Sequence, residues 1–115
     1  MQIWKPSSRP ITYAEWLESG LSIKQLVIHF WAEWNSVDRL VDIEVIKAQE
    51  NIDLDIEYRS FDIQEKIAWP WLRDNERYGY VPCIVGFKYG EEIGHLIGRR
   101  FAQEYESVIK SWFSE

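Results

Sequence analysis

The sequence predicts an α/β domain in which a mixed β-sheet is covered by helices in the order βαβαβαββα, and three observations carry that prediction. An apolar run, Leu26 to Trp31, passes through a short junction into an amphipathic repeat at Val37, Leu40, Val41, Val45 and Ala48. A period-two stretch follows at Leu54 to Phe61, the alternation of a strand with one drier face. The chain then closes with a hairpin signal, Val81 to Lys88 and Glu91 to Gly98 around Tyr89-Gly90, and an amphipathic segment from Phe101 to Phe113. Strands that alternate with helices and finish in a hairpin give a layered domain with a mixed sheet.

Each element has a local reason. Gln2 to Lys5 is expected as a short edge strand, ended by Pro6 and the turn cluster Ser7-Ser8-Arg9-Pro10. Thr12-Tyr13-Ala14-Glu15 has the form of a capping box, so a short helix should run to about Ser19 and stop at Gly20. Ser22 to Gln25 leads into the central strand, where Leu26, Val27, Ile28, Phe30 and Trp31 suit a position covered on both faces. At the next helix start, Asn35 or Ser36 offers a side-chain oxygen to the first amides, and Asp38 places negative charge in the first turn. That helix fades around Gln49 to Asn51. Asp62 is positioned to cap a helix over Ile63 to Tyr78, which Pro70 must break or kink near Trp69 because it lacks an amide and clashes with the preceding turn. The last helix places Phe101, Tyr105, Val108, Ile109 and Trp112 on one face.

The 115 residues, 46% of them hydrophobic and without a linker-like tract, fit a single domain over residues 1–115. Seven Trp, six Tyr and five Phe are an unusually large supply of wide apolar surface, open to use in a core, an interface or both. A net charge of −6 argues against sequence-independent nucleic-acid binding, which relies on clustered cations. Arg99-Arg100 is too short for a patch and is expected to border a helix start. His29 and Glu33 break the longest apolar run, so no membrane span or membrane partner is expected. Met1 to Pro6 has no secretory pattern, and a single cysteine forms no internal disulfide, so the expected location is cytoplasmic. His29 and His95 fall on different strands, and no metal-ligand spacing, phosphate cradle or Gly-x-Ser-x-Gly segment occurs; neither a metal nor a cofactor is expected. Glu91-Glu92 is expected as a pair of solvated turn residues.

Phe30-Trp31-Ala32-Glu33-Trp34, followed by Asn35-Ser36-Val37-Asp38 at the strand-to-helix junction, resembles the thioredoxins, whose Trp-Cys-Gly-Pro-Cys active site lies there. Tyr78-Gly79 ahead of Val81-Pro82 looks like the family's Tyr-Gly segment leading to its cis-proline. Phe87-Lys88-Tyr89-Gly90-Glu91 is similar to its Phe-Lys-Asn-Gly-Glu hairpin, and Gly98 falls at the glycine bordering its substrate groove. The resemblance spans Thr12 to Phe113. It implies a thioredoxin fold, with Pro82 cis and beside the Trp34 to Asp38 loop.

Both family cysteines are replaced, by Asn35 and Asp38. Dithiol exchange needs an exposed thiolate and a second thiol to resolve the mixed disulfide, so dithiol–disulfide oxidoreductase activity is not expected. His29 stands where the family has a buried Asp, Tyr58 where a Lys often partners it, and Ile43 where a proline often kinks the helix. His29 has two readings, a residual acid/base group or a hydrogen-bonded core histidine. The Asp62 to Tyr78 segment is longer than usual, and the loop between Gly79 and Pro82 shorter.

The leading functional expectation is a non-redox protein that binds a protein or peptide, as an accessory or chaperone-like factor or a complex subunit. Trp34, Val81, Pro82, Ile97 and Gly98 would line an apolar concavity, with Asn35 and Ser36 offering hydrogen bonds to an extended chain. Trp69-Pro70-Trp71 is either a recognition patch or core. Cys83 carries the alternative, a monothiol redox enzyme or sensor, against a small buried side chain. Self-association as a homo-oligomer through the aromatic surface is a third reading.

Overall fold

The structure, a computed structural model, describes residues 4–114. Its elements are β1 (Arg9–Pro10), α1 (Tyr13–Glu18), β2 (Leu26–Trp31), α2 (Val37–Gln49), β3 (Glu57–Asp62), α3 (Trp69–Asp74), β4 (Cys83–Lys88), β5 (Glu91–Ile97) and α4 (Ala102–Phe113). The order is the expected βαβαβαββα. The five-stranded sheet runs β1-β3-β2-β4-β5, with β1, β3 and β2 mutually parallel and β4 and β5 antiparallel to their neighbours.

β2 is buried along its whole length, as its unbroken apolar run requires. Its alternate residues feed two cores. Leu26, Ile28 and Phe30 pack with Trp16, Phe61, Tyr78 and Phe87. Val27 joins Val41, Val45, Tyr105, Ile109 and Phe113 on the side covered by α2 and α4. His29 shares that second face, and this puts its ring under the start of α2.

The Thr12 capping box forms as expected, with Glu15 N–H donating to Thr12 Oγ1 at 3.1 Å. The expected edge strand does not: Gln2 and Ile3 lie outside the described residues, Trp4 and Lys5 are not in a strand, and pairing occurs instead at Arg9–Pro10. The buried Arg59 side chain fixes that position by donating to the Arg9 and Pro10 carbonyls at 3.2 and 2.6 Å. Proline is tolerated there because an edge strand has an unpaired side.

β3 also departs from a single dry face, since Arg59, Ser60 and Phe61 are all buried. The cause is cover on both sides of the sheet.

The helical segment expected over Ile63 to Tyr78 is broken near Trp69 as expected, into a 3₁₀ turn at Lys66–Ala68, six residues of α-helix at Trp69–Asp74 and a second 3₁₀ turn at Glu76–Gly79. Pro70 falls in the first turn of α3, where a missing amide costs nothing, so of the two expected outcomes it makes a break and not a kink. In the hairpin, Tyr89 and Gly90 have φ of 49° and 80°, the pair of left-handed residues that matches the twist of the flanking strands. Phe101 precedes α4 and is exposed rather than lying on its buried face.

Candidate functional site

The loop 32–36 leaves the carboxyl end of β2 and enters α2. Asn35, at the first position where the thioredoxin motif has cysteine, ties the loop in two directions. Its Oδ1 accepts the Val37 N–H at 3.1 Å, capping the helix, and its Nδ2 donates to the Val81 carbonyl at 2.9 Å. Of the two expected capping residues, Asn35 forms the cap, and Ser36 makes no side-chain cap bond. The Val81-Pro82 bond is cis as the resemblance implied, and the Pro82 carbonyl accepts the Gly98 N–H at 2.9 Å. These two bonds tie Asn35 to Val81 and Pro82 to Gly98, while Pro82 itself is buried rather than lining a surface, and Trp34, Ser36 and Ile97 are exposed. Trp34 stands 67% exposed, and Trp31 is buried.

Asp38, at the second cysteine position, is in the first turn of α2 but points inward and is 0% exposed. Its Oδ2 accepts the Ala32 N–H at 3.1 Å and its Oδ1 lies 2.8 Å from His29 Nε2. His29 is therefore the hydrogen-bonded core histidine of the two readings. A cavity of about 20 Å³, room for one water, is lined by His29, Asp42 and Tyr58. Tyr58 Oη is buried without a partner among the described residues.

Cys83 begins β4 and is 0% exposed. Burial, and then the nearby Glu92 charge, push its thiol up to about 12. That is the opposite of an activated thiolate. Native Cys83 is expected to resist a maleimide at neutral pH and react only in denaturant; rapid native labelling would contradict its burial. Burial likewise raises the Tyr58 and Tyr105 hydroxyls to about 12. The folded chain holds these protons where the unfolded chain releases them, so this contribution is intact below about pH 9 and is lost as pH rises toward 12. Each such group steepens the alkaline fall in stability by up to ~1.4 kcal/mol per pH unit, readable in denaturation midpoints across that range.

The two tryptophans around Pro70 do not form one surface patch. Trp71 turns into the first core, 5.3 Å from Trp16 and 5.4 Å from Phe61 between ring centroids. Trp69 is 53% exposed. The expectation of Trp71 as a binding residue is corrected by its packing against the first core. Glu92 is corrected too: it is no solvated turn residue, but accepts from Arg77, from Tyr78 Oη at 2.6 Å, and pairs with His95 Nδ1 at 3.1 Å. Among the described residues no group of His, Cys, Asp and Glu could hold a metal ion, and no helix is long and apolar enough to cross a membrane.

No family model matches the chain, and no curated protein matches it by sequence. Solved structures do. A mutant thioredoxin from Halobacterium salinarum NRC-1 superposes at a TM-score of 0.71 with 18% identity, covering 97% of each chain. This is the thioredoxin fold. A chain from work on the thiol-resolving mechanism of yeast mitochondrial 1-Cys peroxiredoxin via glutathione/thioredoxin systems aligns at 0.73 with 24% identity, over 91% of this chain and 95% of its own. Malassezia sympodialis thioredoxin aligns at 0.67 with 20% identity over 96% of each. The chain shares that fold with one cysteine and no CxxC pair in its sequence, and the His29–Asp38 contact is the feature that sequence reading missed. Each of the two residues stands out in the sequence, but separately. A His on the helix-facing side of a strand and an Asp in the first turn of the following helix were the available signal.

Proposed function

We propose that this thioredoxin-like protein works without redox chemistry, binding another polypeptide at the opening around Trp34 and the cis-proline. One observation carries the reading: both positions that would hold exchanging thiols hold side chains committed to structural bonds, Asn35 to Val37 and Val81, Asp38 to Ala32 and His29. Around them the rim keeps exposed apolar surface at Trp34 and Ile97. An extended chain pairing beside Val81 has to compete with Asn35 for the Val81 carbonyl, which favours ligands that replace that bond. The buried, high-pKa Cys83 weighs against the monothiol alternative.

The test compares proteins captured by the wild-type chain with those captured by Trp34→Ala combined with Val81→Asp. Loss of a reproducible partner, by about tenfold or more in recovered amount, is expected. An unchanged set of partners would sink the proposal, as would turnover of insulin disulfides by the purified chain.

A further inference from the structure

β5 is the outer strand of the sheet, and its free side runs the length of Glu91–Ile97. The register shows which backbone groups that side presents. Cys83 lies opposite Ile97, and the Gly98 N–H donates to the Pro82 carbonyl at 2.9 Å. Alternate residues of an antiparallel strand bond the same neighbour, so Gly94 and Leu96 also turn their N–H and C=O toward β4, and His95 and Ile97 turn theirs outward. The Ile97 carbonyl accepts from Arg100 Nη2 at 3.2 Å, as an outward group can. The His95 N–H and C=O and the Ile97 N–H are left without a partner in the sheet.

An exposed edge is ordinarily blunted by Lys, by Pro or by an inward-pointing charge. From Ile93 to Ile97 the chain has none of these. What the edge fits is set by the charges at its ends. Glu91 opens the strand and Arg99 lies just past its close; both are exposed, and neither is in an ion pair among the described residues. The charges beside them are already engaged, Glu92 with Arg77 and His95, and Arg100 with Glu104. Lys88 stands across from Glu91 on β4, one strand in from the edge. An edge that is acidic at its start and basic beyond its end matches a reversed copy of itself. Parallel copies would set like charges together.

We propose that two copies of this chain pair antiparallel through β5, about a two-fold axis normal to the sheet near Leu96. His95 of each copy then exchanges backbone hydrogen bonds with Ile97 of the other, and Glu91 of each meets the end that carries Arg99 of the other. The Arg100 bond to the Ile97 carbonyl need not break, because a carbonyl oxygen has two lone pairs. The Arg99 guanidinium lies over the Phe101 ring at 5.2 Å, an arrangement that keeps its in-plane donors free for a carboxylate. The contact is short against the ~1,200–2,000 Å² of a standard interface, so the dimer is reversible, with a dissociation constant on the order of micromolar or weaker. Trp34 takes no part, which separates this pairing from association through the aromatic surface.

The experiment is sedimentation of the full chain at low salt from about 1 μM to about 1 mM, where a concentration-dependent dimer is expected. His95→Pro removes an outward amide that bonds nothing in the single copy, and should abolish the dimer with the circular dichroism unchanged. Glu91→Arg and Arg99→Glu should each weaken it about tenfold. Mixing these two variants should restore the wild-type affinity, since each then meets the other's reversed charge, and that readout does not depend on a proline being accommodated. Trp34→Ala should leave the dimer unchanged. A monomer at the highest concentration, a dimer that His95→Pro and both charge reversals leave intact, a mixture that stays weak, or a dimer lost with Trp34→Ala would each overturn the proposal.

Discussion

Asp38→Ala is expected to cost about 3 kcal/mol or more in folding stability, read as a lower denaturant midpoint with little change in slope. The carboxylate is 0% exposed and serves two partners, the Ala32 N–H and His29 Nε2. Truncating it leaves both of those groups without their acceptor in the buried interior, and adds a void under the first turn of α2. Asp38→Asn keeps the volume and one oxygen, so its cost should be smaller. His29→Leu in the Asp38→Leu background should recover part of the loss, because removing both members of a buried pair is far cheaper than removing one. A coupling of at least about 1 kcal/mol between the two sites is the expected result. Strict additivity would mean that the 2.8 Å contact contributes nothing.

The His29–Asp38 pair ties the end of β2 to the start of α2 without thiols. Where the resemblance places a buried acid on the strand and a cysteine on the helix, this chain has a histidine on the strand and the acid on the helix. The loop is consequently pinned at Ala32 by Asp38 and at Val81 by Asn35, which leaves Trp34 projecting from a fixed base.

Elements governed by neighbours in sequence could be read from the residues alone. The capping box at Thr12, the apolar run of β2 and the Tyr89-Gly90 turn are set by contacts within a few residues. What depended on distant partners was not legible. β1 lies at Arg9–Pro10 because a side chain 50 residues away in sequence bonds the Arg9 carbonyl. Glu92 left the solvent because Arg77 and Tyr78, on the preceding 3₁₀ turn, reach it. Trp69 and Trp71 have opposite fates two residues apart, since a short helix turns one inward and the other out. The site itself came from family resemblance, because no local periodicity brings residue 35 to residue 81.

Gly94→Ala is expected to destabilise the fold by about 2 kcal/mol, against a usual rule that replacing glycine in a strand helps. Gly86 and Gly94 face each other across β4 and β5, and the Trp112 indole lies over both. A Cβ on Gly94 would sit 2.1 Å from Trp112 Nε1, and one on Gly86 2.7 Å from Cε3. Neither approach is compatible with van der Waals contact, so either the indole leaves its slot, surrendering the apolar area it covers, or β5 shifts. The first outcome loosens α4 from the sheet. The second displaces Ile97 and Gly98, and with them the Gly98 N–H bond to Pro82 at the opening. Gly86→Ala should cost less, its contact being less severe. In a Trp112→Ala background the penalty of Gly94→Ala should vanish or change sign, because an alanine in an unobstructed strand restricts the unfolded chain. If Gly94→Ala proves harmless with Trp112 in place, the cross-strand glycine pair is not what seats the C-terminal helix.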